Sequence, residues 1–302
     1  MEEIVAIKKN SSVDFNPQYF KLYNILGVLY QNSGRFQTAL DYYRKALDAT
    51  NDNDEKSLMY GNLGALYFKQ GEYAKAINYY SYALALFEKS KHLSGKKVFM
   101  IYHNLGFAYY KAGLWEKSLY YYQRSITKAK ENHISELGDT YYNTGLVYQK
   151  LGRLSEANQY HLLSIQCYTN EYGLRHYKTA VSYINYAQYL LAVNNLAKSW
   201  EYYAKAYQVL SQTVGLKHPY TSTCFISMGD YCYSRKDYRR ALSYYQQSLI
   251  AQVYPFNDTS ILANPKGEVL PNIQLIEILK DKVRTLTAYS KQQNSSSYLL
   301  AA

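Results

Sequence analysis

The sequence predicts an all-α protein, a right-handed superhelical solenoid of antiparallel helix hairpins. Three observations carry that expectation. Tyrosines and small residues recur together at a nearly constant interval. Prolines number only 5 and glycines 15 in 302 residues, and alternating strand patterns bounded by turn dipeptides are hard to find. A hydrophobic content of 48% is enough for a sizeable core, so the chain is folded rather than disordered.

The stretch "YHNLGFAYYKAGLWEKSLYYYQRSI", residues 102–126, shows the unit. A small residue stands at Gly27, Gly64, Gly106, Gly145, Ala187 and Gly229, in steps of 37, 42, 39, 42 and 42. Four residues earlier comes Tyr23, Tyr60, Tyr102, Tyr141, Tyr183 or Phe225, and three later Tyr30, Tyr67, Tyr109, Tyr148, Leu190 or Cys232. Seven later a turn is expected at Gly34, Gly71, Gly113, Gly152, Asn194 and Lys236, where a left-handed residue ends the first helix. A second helix carries Ala39, Ala76, Ser118, Ala157, Ser199 and Ala241, each followed four residues on by Tyr43, Tyr80, Tyr122, His161, Tyr203 or Tyr245. Small residues let two helices approach while an aromatic one turn away fills the gap beside them. One hairpin cannot bury its own apolar face, so six must stack. Most of the tyrosines are therefore wall.

Six such repeats occupy residues 18–251. Residues 1–17 read as the end of a preceding helix and a linker, because "EEIVAIKKN" aligns with the tail of a second helix whose first helix is missing. Residues 252–271, with three of the five prolines, read as an irregular linker. Residues 272–302 hold a C-terminal helix whose apolar stripe is Ile273, Ile276, Leu279, Val283 and Leu286, capping the array or opening a seventh hairpin. The serines of "NSSSYLLAA" resemble an N-cap, so the chain is expected to be a segment of a longer protein.

On these positions the chain resembles the tetratricopeptide repeat. The long spacing, and the paired "YGLRHYKTA" and "VGLKHPYTS" at Gly173 and Gly215, resemble the kinesin light chain type. Similar arrays precede CHAT protease domains in bacterial proteins. The resemblance implies a scaffold or sensor that binds proteins or peptides, or a regulatory arm controlling an attached CHAT-like effector domain of the same polypeptide.

The formal charge is +11, distributed as +3, +4 and +4 over residues 1–100, 101–200 and 201–302, and no run of Lys and Arg stands out. That pattern supplies no phosphate-binding stripe, so nucleic acid is not an expected partner. No apolar run is long enough to span a membrane, and the N-terminus has no signal-peptide pattern. Cys167, Cys224 and Cys232 read as small core residues of a reducing compartment, which makes the cytoplasm the expected location. The last two would stand about 12 Å apart on one helix, beyond disulfide reach. The six histidines lack metal-ligand spacing, and "SGKK" at Ser94 to Lys97 lacks the glycine and hydroxyl of a phosphate loop and reads as a connection between helices. No catalytic residue, metal site or cofactor is expected; the chain reads as a binding module rather than an enzyme.

The remaining face of each first helix is the candidate binding groove. With the small residue at position 8, position 6 reads Ile25, Asn62, Asn104, Asn143, Asn185 and Ser227. Position 13 reads Asn32, Lys69, Lys111, Lys150, Ala192 and Ser234. Residues seven apart differ by about 20° around a helix and about 10 Å along it, which predicts a row of amides beside a row of ammonium groups. Met100, Phe107, Tyr110 and Leu146 would supply apolar wall. Asparagine is a poor mid-helix residue, so its recurrence at one position calls for a role. In tetratricopeptide proteins the concave face uses Asn to hold a peptide backbone, a role the resemblance carries to Asn62, Asn104, Asn143 and Asn185. The expected ligand is a protein or an extended acidic peptide, or another domain of the same chain.

Overall fold

The computed structural model describes residues 17–88, 95–265 and 273–294. Among them lie thirteen α-helices and no strand. The chain forms two compact units, residues 1–157 and 158–302.

The first unit holds α1 (Pro17–Asn32), α2 (Phe36–Asp48), α3 (Asn53–Lys69), α4 (Tyr73–Glu88), α5 (Gly95–Lys111), α6 (Trp115–Glu131), α7 (Gly138–Lys150) and the start of α8 (Leu154–Tyr172). Helices α1 and α2, α3 and α4, and α5 and α6 pair as hairpins. Each turn closes in the same way. Gly34, Gly71 and Gly113 sit at φ of 77°, 79° and 75°, and the next residue donates its N–H to the carbonyl five residues back, Arg35 to Tyr30, Glu72 to Tyr67 and Leu114 to Tyr109, all at 2.9 Å. That bond satisfies a carbonyl the helix end would otherwise leave orphaned.

The small residue at position 8 is there for contact. A Cβ built on Gly64 would lie 2.6 Å from the Tyr80 ring, and one on Gly106 would lie 2.7 Å from Tyr122. Tyr80 and Tyr122 are buried, so the tyrosine lies on bare backbone. A second tyrosine, one residue earlier, stacks in parallel on the position-11 tyrosine. Tyr30 meets Tyr42 at 5.4 Å, Tyr67 meets Tyr79 at 5.2 Å and Tyr109 meets Tyr121 at 5.2 Å, with planes within 5°. Lys45 covers the Tyr42 ring, Lys75 covers Tyr67 and Lys117 covers Tyr109, so part of the dispersed positive charge rests on tyrosine faces.

One expectation is corrected here. Gly95, Lys96 and Lys97 are not a connection; they form the first turn of α5. A Cβ on Gly95 would collide with the Asn132 side chain, and Lys96 pairs with Glu136 at 2.7 Å, so packing against the end of α6 winds this turn into the helix.

The second unit holds the rest of α8, then α9 (Tyr177–Ala192), α10 (Leu196–Thr213), α11 (Pro219–Ser234), α12 (Tyr238–Gln252) and α13 (Ile273–Gln293). Its hairpin turns use Asn194 and Lys236 at φ of 61° and 62°, and the same return bond runs from Asn195 to Leu190 at 2.8 Å and from Asp237 to Cys232 at 3.0 Å. Where the second helix carries serine in place of alanine, its hydroxyl reaches the facing backbone, as Ser199 does to the Ala187 carbonyl at 2.8 Å. The paired stretches at Gly173 and Gly215 are matched connections. Gly173 and Gly215 take φ of 85° and 82°. The Nδ1 atoms of His176 and His218 then accept from the N–H two residues on, starting α9 and α11. Thr179 and Thr221 donate back to the carbonyls of Gly173 and Gly215.

Helix α13 lies against α12 by only part of the expected stripe: Leu286 is buried and Leu279 packs against the core. Ile276 and Val283 are 43% and 41% exposed, while Leu275, Ile278, Lys282, Thr285 and Leu286 are buried. The buried set includes a lysine because its ammonium has partners. Lys282 Nζ donates to Gln246 Oε1 at 2.6 Å and Asn264 Oδ1 at 2.9 Å, and also to the Ala263 carbonyl, tying the irregular segment after α12 to both helices. Burial lowers the Lys282 pKa to about 8. The readings made for residues 1–16 and 295–302 fall outside the described residues.

Candidate functional site

Of the residues expected to line a groove, those of the first unit lie on its first helices α3, α5 and α7. Asn62, Asn104 and Asn143 are half-buried, and Lys69, Lys111 and Lys150 are exposed. Met100 is 52% exposed, while Phe107, Tyr110 and Leu146 are half-buried. Burial raises the Tyr110 pKa, so its hydroxyl stays protonated and able to donate. Asn185 is half-buried on α9 and belongs to the second unit, outside this set.

Successive first helices join through this face. Asn62 Nδ2 donates to Asn24 Oδ1 at 2.8 Å, and Lys69 Nζ donates to Asn32 Oδ1 at 3.3 Å, linking α1 to α3 along both rows. Phe68 and Phe107 meet at 4.9 Å between α3 and α5, and the Lys111 ammonium lies 5.5 Å from the Phe107 ring centre. His103 meets Thr140 Oγ1 at 2.9 Å between α5 and α7. Burial lowers the His103 pKa, with Asp139 pulling the other way, so the neutral ring is favoured. Sequence reasoning missed Asn24, His103 and Thr140, which stand one to three positions off the asparagine register. No repeated pattern marked them, since the position before the asparagines reads Asn24, Gly61, His103, Tyr142, Ile184 and Ile226.

The amides can accept and donate to an extended backbone, and the ammonium groups can attract carboxylates at the C-terminal end of each helix. No helix among the described residues is long and apolar enough to cross a membrane. Among them, too, no three His, Cys, Asp or Glu side chains gather as metal ligands. None of the three cysteines forms a disulfide: Cys167 is half-buried, and Cys224 and Cys232 are buried.

No curated protein matches the chain in sequence. Solved structures do match in fold. Aspartyl phosphate phosphatase F from Bacillus subtilis is 13% identical with a TM-score of 0.65, over 94% of this chain and 68% of that one. BtubC (BKLC) from P. vanneervenii is 15% identical with a TM-score of 0.59, over 84% and 98%. The nearly identical TPR-like repeats of a putative kinesin light chain from Podosopora anserina are 15% identical with a TM-score of 0.57, over 66% and 97%. At such identities the likeness concerns the fold alone, an all-α repeat solenoid. The tetratricopeptide repeat family model matches residues 18–89, 97–170, 136–209 and 184–249. Such repeats are scaffolds for protein–protein contacts, and with matches over most of its length this chain belongs to the tetratricopeptide repeat family.

Proposed function

We propose that the first unit captures an extended, acidic peptide segment of a partner protein along the first-helix face, as a binding module rather than an enzyme. The carrying observation is the register: Asn62, Asn104 and Asn143 at one position of three successive first helices, with Lys69, Lys111 and Lys150 seven residues on in each. Asn62 and Lys69 are engaged with Asn24 and Asn32, so they brace the row, and Asn104 and Asn143 supply the main backbone clamp. Met100, Phe107, Tyr110 and Leu146 receive apolar side chains beside it. Asn185 serves the second unit in the same way. The ligand is supplied by a separate protein or by another domain of the same polypeptide, such as the CHAT-like protease the resemblance implies, in a reducing compartment such as the cytoplasm that suits three cysteines outside any disulfide.

Fluorescence anisotropy with a library of extended peptides is the test. Asn104→Ala with Asn143→Ala should weaken binding at every ionic strength, since each amide bond contributes roughly 0.5 to 1.5 kcal/mol. Lys69→Glu, Lys111→Glu and Lys150→Glu together should reverse the preference for acidic peptides and flatten the salt dependence. If the triple variant selects the same peptides with the same affinity, the binding surface lies elsewhere.

A further inference from the structure

The second unit contains a pocket that the peptide-binding reading does not use. It has a volume of about 310 Å³ and is lined by Trp200, Tyr231, Cys232, Arg235, Asp237 and Arg240. Four of the six residues from Arg235 to Arg240 are basic, and two of them, Arg235 and Arg240, line the pocket while remaining exposed.

Each of these two arginines lies over a ring. The Arg240 guanidinium carbon lies 5.5 Å from the Trp200 ring centre, and that of Arg235 lies 5.8 Å from Tyr231. Trp200 and Tyr231 themselves meet at 5.1 Å, so the two guanidinium groups share one aromatic floor. Stacking orients a guanidinium by its face and leaves its N–H edge for a planar or tetrahedral oxyanion. Their existing polar contacts are few. Arg240 Nη1 is 3.7 Å from Asp237 Oδ2 and also bonds Tyr244, while Arg235 Nη1 donates to the Tyr231 hydroxyl at 3.4 Å. Asp237 caps α12 by accepting from the Arg240 N–H at 3.2 Å, which leaves its carboxylate shared between two tasks.

The charge balance selects the ligand class. Two guanidinium groups face one carboxylate among the lining residues, and Lys236 and Arg239 are exposed on the same turn. Cys232 adds no negative charge, since burial pushes its thiol up to about 11. A dianion that engages both arginine forks at once offsets this excess better than a single carboxylate.

We propose that this pocket is a binding site for a phosphate dianion, free or carried as a phosphomonoester. The anion sits between the Arg235 and Arg240 forks, and an ester substituent extends over the Trp200 and Tyr231 rings.

Trp200 reports on the site directly. In the full chain carrying Trp115→Phe, the only other tryptophan is removed, and emission is followed while inorganic phosphate or phenyl phosphate replaces chloride at constant ionic strength. The expected result is a saturable change with either probe. Arg235→Gln and Arg240→Gln should each weaken it by about tenfold or more, the size expected for losing a charge-assisted pair. Arg239→Gln, on the same turn but outside the pocket, should shift it by less than about twofold. Tighter binding of phenyl phosphate identifies an ester-bearing side chain as the source, and equal binding identifies the free anion; both outcomes sustain the site. A non-saturable response to both probes overturns it. So does unchanged affinity in Arg235→Gln, whose side chain meets Tyr231 and whose folding is checked by circular dichroism.

Discussion

The two units build the same hairpin with different chemistry. In the first, each described hairpin is held by a parallel tyrosine pair under a basic side chain, and its turn residue is glycine. In the second, position 11 is Leu190 or Cys232, the turn residue is Asn194 or Lys236, and Tyr202 meets Tyr183 and Tyr186 edge-on, at 60° and 83°. The second unit adds polar contacts at its last three helices. Tyr245 donates to Asp230 at 2.7 Å, Arg284 reaches Asp281 at 3.1 Å, and Lys282 ties down the segment after α12. What the plan requires is therefore narrower than what either unit displays: a left-handed turn residue, a small residue at position 8, and a ring lying on it.

The largest effect should come from breaking that shared requirement. Gly106→Val forces a branched side chain into the Tyr122 ring and should cost about 3 kcal/mol, read as a lower urea midpoint. Gly106→Ala should cost much less, because repeat five carries Ala187 opposite buried Tyr203 and alanine favours the helix. An unchanged midpoint for the valine variant would refute the contact.

Acid should next weaken the fourth repeat. His161 occupies the ring position of the fourth repeat and lies 4.7 Å from Tyr189. Burial pushes its pKa down to about 4 from 6.5. A lowered histidine pKa means the unfolded chain takes the proton first, so stability is complete above pH 6.5 and falls as pH drops toward 4. At pH 5 the loss should be about 2 kcal/mol, and His161→Phe should remove it. Hydrogen exchange of α9 and α10 at the two pH values measures it; equal acid sensitivity in the variant would assign the loss to another group.

The stacked tyrosines give a smaller contrast. Tyr109→Leu copies the second unit into the first and should cost roughly 0.5 to 1.5 kcal/mol, whereas Leu190→Tyr should not gain that amount, because Tyr202 already meets Tyr186 at 4.7 Å. The turn residues should give the smallest effect, with opposite signs. Asn194→Gly or Lys236→Gly relieves a side chain at positive φ and should raise stability by about 0.5 kcal/mol, while Gly71→Ala should lower it by about 1 kcal/mol. Thermal melts of the three variants decide between strain and mere tolerance.

The helix hairpins, their turns and the contact between small residue and ring were legible in the sequence because each is a local rule repeated six times. A left-handed residue seven after Gly64 or Ala187 has the same cause in both units, whether glycine or asparagine supplies it. What tertiary packing decided is which neighbour a side chain meets. Periodicity allowed α13 a stripe through Ile276 and Val283, yet α12 and the preceding segment select Leu275, Ile278 and Lys282, since burying a lysine requires the acceptors Gln246, Ala263 and Asn264 that no local pattern reveals. The asparagine row was readable, but not that Asn62 and Lys69 would be taken by Asn24 and Asn32 a repeat away. Likewise the residues from Arg235 to Arg240 pointed to no site by themselves, because their pocket also needs Trp200, 35 residues before Arg235. Spacing along one helix sets the direction of a side chain, and the partner it finds there depends on residues distant in the chain.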